Sequence, residues 1–133
     1  MAAGRYSFVI EQGATTDFEV VFQDSGSNPI SLKHHQARMQ VRSTQDVTGT
    51  LILTLSSSLK DDGTGLNLSG SDGVTSIESG SIGVKISAHS SSLLDFTEAF
   101  YDLEISSGSS HPVVTRILEG KVQLSKNVTS GSF

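Results

Sequence analysis

The chain has no cysteine and no tryptophan, only two prolines and two tyrosines, and nine lysines and arginines in 133 residues. Without cysteine there is neither a disulfide framework nor a thiolate metal site. The scattered basic residues face fourteen acidic ones, for a net charge of −5. That balance lacks the clustered positive surface by which proteins grip phosphates, so no nucleic-acid partner is expected. No apolar run approaches the ~20 residues of a membrane-spanning helix, and no membrane partner is expected. The opening MAAGRYSFVIEQG also lacks the apolar core of a signal peptide. Charge itself is scarce at 17%, below the roughly one quarter usual for soluble domains.

What is abundant is serine, glycine and short apolar zigzags. Tyr6, Phe8 and Ile10 fall on one parity, as do Phe18, Val20 and Phe22, with intervening residues that are polar except for Val9 and Val21. Asp24 to Pro29 has turn chemistry: glycine for positive φ, Asp and Asn for local side-chain bonds, proline to fix φ. Ala37, Met39 and Val41 then face in, with Arg38, Gln40 and Arg42 out. Leu51, Leu53 and Leu55 form the next inward set, and Ile82, Val84 and Ile86 another. Ser91 to Asp95 (SSLLD) is the one stretch expected to be helical, capped by Ser90 or Ser91. About eight short strands at near-regular spacing predict a single-domain, all-β sandwich over residues 1–124, Ig-like in type, with one short helix before the C-terminal hairpin. A small barrel shares the same periodicity. Residues 125–133 read as a polar C-terminal tail.

The final hairpin is the most informative segment. Tyr101, Leu103 and Ile105 alternate with Asp102 and Glu104, and a second strand runs from about Val113 to Leu124. Its inward positions are odd before Gly120 (Thr115, Ile117) and even after it (Val122, Leu124). A β-bulge at the glycine would supply the extra residue that this switch requires.

This ending resembles the closing strands of a small β domain found in tailed-phage virion proteins. There an aromatic-Asp-Leu-Glu strand precedes a Val-Thr-Arg run, a glycine and a Ser-x-x-Val-Thr tail. Gly13-Ala-Thr-x-x-Phe18, Asn28-Pro29-Ile30-x-Leu32, Ala37 to Arg42 and Gly80 to Val84 are similar to the N-terminal domains of baseplate upper proteins. Lys33-His34-His35 departs from the Thr-Gly usual after that turn. The resemblance implies a non-enzymatic structural subunit of a phage tail or baseplate, assembled in the bacterial cytoplasm and resident in the virion. Its partners would be other virion proteins, in a homo- or hetero-oligomer. A head-decoration or neck protein is the alternative, and a carbohydrate-binding receptor module a further one.

Candidate chemistry is thin. His34 and His35 are adjacent, so an extended chain points them apart, and no third ligand follows at usable spacing. Asp61 to Gly65 and Ser71 to Gly73 lack the alternating acids and closing Glu of a calcium loop. No Gly-x-Ser-x-Gly elbow marks a nucleophile. Asp102 and Glu104 share a strand face, but Arg116 on the adjoining strand offers them a cross-strand charge pair. No catalytic residue, metal or cofactor is therefore expected. Association is: Val114, Arg116 and Leu118 fall on one face of the last strand, leaving apolar surface beside an arginine. With Phe133 in the tail, they form the candidate interface.

Overall fold

The computed structural model describes residues 4–24, 26–108 and 110–129. The apolar zigzags become strands β1 (Gly4–Arg5), β2 (Phe8–Glu11), β3 (Thr16–Val21), β4 (His35–Arg42), β5 (Leu51–Ser56), β6 (Gly65–Asn67), β7 (Ser81–Ile86), β8 (Glu98–Ser107) and β9 (Val114–Ser125). They form two sheets. The larger runs β1-β9-β8-β4-β5, with β2 also on β9, and the smaller runs β3-β7-β6. Neighbours are antiparallel, except that β1 and β2 lie parallel to β9. First and last strands thus close one side of the molecule. This is an all-β sandwich with Ig-like strand order: β3, β7 and β6 stand as B, E and D, while β4, β8 and β9 stand as C, F and G.

The core lies where the two inner faces meet. Ile10, Met39, Val41, Leu103 and Val122 of the larger sheet are buried with Leu66, Ile82, Val84 and Ile86 of the smaller. Aromatic rings bridge the layers: Phe8 on β2 sits 4.9 Å from Phe18 on β3 and 5.0 Å, edge-on, from Tyr101 on β8. Such pairs contribute about 0.5–1.5 kcal/mol each beyond the area they bury. The predicted Asp24 turn forms, with Asp24 Oδ1 accepting from the amides of Gly26 (2.9 Å) and Asn28 (3.0 Å).

The helix is α1 (Ala88–Ser92), three residues earlier than expected at its start. Ser87 caps it, accepting from Ser90 N at 3.0 Å. A serine-rich run offers several equivalent caps, and Ser87 is held by Thr64, whose Oγ1 accepts from the Ser87 amide at 3.0 Å, and by Asp62. That carboxylate accepts from Ser87 Oγ (2.6 Å), Ser90 Oγ (2.9 Å) and Thr64 N (2.9 Å). The latch ties the β5–β6 connection to the entry of α1.

Two strands depart from strict alternation. In the β4–β5 pair, Val41 faces Leu53 but Arg42 faces Leu51, so Ile52 is the extra residue of a bulge. Leu51 is turned outward and exposed, while Ile52 packs on the core. In the β8–β9 pair, Leu103 faces Leu118 but Glu104 faces Arg116. The parity switch is real, but its extra residue is Ile117 rather than Gly120. Gly120 serves a different need: a Cβ there would collide with the carbonyl oxygen of Tyr6. Tyr6 N donates to Glu119 O at 3.0 Å, and Tyr101 Oη donates to Tyr6 O at 2.6 Å. The first strand is interrupted at this crossing, which leaves Tyr6 half-exposed at the edge instead of in the core.

Candidate functional site

The β9 bulge decides what the outer face of the larger sheet displays. Before it, the even residues Val114 and Arg116 point out; from Leu118 onward, even residues point in. Leu118 stands opposite fully buried Leu103 and packs partly against the core. The expected Val114–Arg116–Leu118 stripe is therefore corrected to Val114 and Arg116 alone. Val114 is 50% exposed and its neighbour Val113 69%. Phe133 lies outside the described residues.

Across the same face, the strand register sets charges in rows. Arg38 faces Glu104, Gln40 faces Asp102 and Arg42 faces Phe100 between β4 and β8. Between β8 and β9, Glu104 faces Arg116 and Asp102 faces Glu119. The last is a like-charge pair, which is destabilising when directly opposed. Arg116 offsets it, with Nε 3.3 Å from Asp102 Oδ2 and Nη1 3.6 Å from Glu119 Oε2. Arg38 Nε donates to Glu104 Oε1 at 2.8 Å. Arg42 donates to Gly49 O and to Gln40 Oε1, both at 3.0 Å. Burial raises the Asp102 pKa, the neighbouring Glu104 charge adds to that, and Arg116 and Arg38 oppose it.

These residues floor a concavity of about 310 Å³, rimmed by Thr44, Gln45, Asp46 and Val47 of the β4–β5 loop. The rim is held from within. Asp46 Oδ1 accepts from Thr44 Oγ1 (3.1 Å), Thr48 N (2.9 Å) and the Thr48 hydroxyl. The Thr48 side chain, then its amide, holds the Asp46 carboxyl below its ordinary range.

The histidines do not meet. His34 has φ of +63° and its carbonyl accepts from Gly108 N at 2.8 Å, whereas the His35 ring Nδ1 lies 2.9 Å from Lys33 O. Among the described residues, no three of His, Asp and Glu converge as metal ligands would. The Asp-Gly stretches make turns: Asp72 Oδ1 accepts from the amides of Val74 (2.9 Å) and Thr75 (3.0 Å).

Sequence reasoning found the pairing of Arg116 with the β8 acids but missed the concavity. Arg38, Gln40 and Arg42 were legible as outward residues. That they stand in register with Phe100, Asp102 and Glu104 depends on strand order, which periodicity does not encode. No protein-family model and no curated protein matches the chain.

Proposed function

We propose that this protein is a non-enzymatic structural subunit of a tailed-phage virion, placed in the tail or baseplate and acting through contacts with other virion proteins. The phage placement rests on the likeness of its Gly13–Phe18, Asn28–Leu32, Ala37–Arg42 and Phe100–Thr129 segments to baseplate-type β domains. The observation that carries the association reading is exposed Val114 on the same outward face as Arg116 at the start of β9, with exposed Val113 just before the strand. Exposed apolar side chains next to a guanidinium suit the buried centre of an interface, where arginine is enriched and most other charges are depleted. The two β8 acids, Asp102 and Glu104, are engaged by arginines, which favours a structural role.

Quantitative mass spectrometry on purified particles of a phage encoding the chain tests the placement. Presence at a small fixed copy number supports the tail or baseplate. Copies in the hundreds would move the protein to head decoration, and absence would end the reading. The interface is tested separately by Val114→Asp: the expected result is a folded protein that no longer incorporates.

A further inference from the structure

The outer-face concavity has a chemistry of its own, independent of the virion reading. Its lining interleaves the guanidinium groups of Arg38, Arg42 and Arg116 with the carboxylates of Asp46, Asp102, Glu104 and Glu119. An anion entering it meets carboxylates, and a cation meets guanidiniums. Neither gains without repulsion.

The pairs within it leave hydrogen-bonding capacity unused. Arg38 engages Glu104 through Nε alone, and a guanidinium has five N–H donors. Gln40 accepts from Arg42 through Oε1, and among the described residues its NH₂ group has no protein partner. Each ionised carboxylate offers about four lone-pair sites, and among the described residues the ion-pair contact of Asp102 is the one from Oδ2 to Arg116 Nε. A neutral ligand bearing several hydroxyls suits such a surface, because every hydroxyl both donates and accepts. Half-buried Phe100, whose ring carries the Lys121 ammonium 5.9 Å from its centroid, adds apolar carbon on the same lining, suited to the C–H face of a sugar ring. The rim is pre-ordered by Asp46, which lowers the entropy cost of closing on a ligand. At about 310 Å³, the space lies at the lower end of the ~300–1,000 Å³ typical of small-molecule sites.

The geometry points to a binding site for a neutral pyranose residue of a glycan on the outer face of the larger sheet. Arg38, Gln40, Asp102, Glu104 and Arg116 hold its hydroxyls and Phe100 supports its apolar face. Affinity for one sugar is weak, and several subunits side by side would raise it by multivalency.

The test is a ¹H–¹⁵N NMR titration of the whole chain with glucose, galactose, mannose and N-acetylglucosamine, alongside inorganic phosphate and putrescine as charged probes. At least one sugar is expected to shift the amides of Gln40, Asp102 and Arg116 saturably. Arg38→Ala, Gln40→Ala and Arg116→Ala are each expected to weaken that sugar by about tenfold, with melting temperature unchanged in at least the exposed Arg38 variant. The inference is overturned if no sugar moves these amides, if phosphate or putrescine moves them more, or if all three variants bind as the parent does. Loss of sugar binding and absence from particles are separate results, so failure of one reading leaves the other standing.

Discussion

At the scale of single residues, Gly120 and Asp62 carry more of the fold than their side chains suggest. Gly120 admits the Tyr6 carbonyl against β9, where the buried Tyr101 hydroxyl meets it. Gly120→Ala forces that carbonyl away and leaves the phenol without its acceptor. Overpacking of this kind costs about 1–3 kcal/mol, and the unpaired hydroxyl adds to it. Urea unfolding is expected to show a clear fall in midpoint; an unchanged midpoint would refute the close approach. Asp62 makes a pH prediction. Its carboxyl is held far below its ordinary value of 3.8, first by the Ser87 hydroxyl, then by the Thr64 amide and side chain and by Ser90. A depressed folded-state pKa means that this stabilisation is complete above the unfolded value and is lost as pH falls below about 4. Asp24, Asp46 and Asp72 shift in the same direction. Melting temperature is expected to decline below that pH, and Asp62→Asn to make the decline shallower; an equal slope in the variant would count against the latch. A glycine within a strand was legible as a special position. Its partner, from the other end of the chain, was not.

At the scale of elements, alternation named the inward faces of β2, β3, β4, β7 and β8 correctly, because a half-buried strand must repeat every second residue. Bulges defeat that reading. In β9 the extra position was expected at Gly120, because glycine is the permissive residue, but it falls at Ile117. The choice is made by the partner strand, where Leu103 takes Leu118 and Glu104 takes Arg116. The same holds in β5, where Ile52 rather than Leu51 turns to the core. The bulge position has a sharp consequence. Leu118→Asp puts a carboxylate among core side chains and is expected to destabilise the isolated domain by roughly 2–4 kcal/mol. Val114→Asp, on the exposed face, is expected to stay within about 0.5 kcal/mol of the parent. Paired urea titrations decide it, and equal effects would mean that the two residues share a face after all. Helix α1 was foreseen as an element but displaced by three residues, because serines at 87, 90 and 91 are all competent caps and the tertiary contacts of Ser87 with both Thr64 and Asp62 hold it in that role.

At the scale of the whole molecule, the sequence separated β from α but not sandwich from barrel, because periodicity reports the face of a residue and not its neighbours. The structure resolves this into two layers, with the first strands parallel to the last and joined to it by regular pairing on both sides of the Tyr6 crossing. That arrangement leaves the outer face of β4, β8 and β9 as a display of paired charges, with exposed Val114 at one end. The proposed contacts are placed on this display. The most direct measurement is quantitative mass spectrometry of purified phage particles, comparing parent with Val114→Asp. The account predicts the parent chain at a low, fixed stoichiometry and the variant missing from otherwise complete particles. A parent chain absent from the particle, or a variant incorporated as efficiently as the parent, would contradict it.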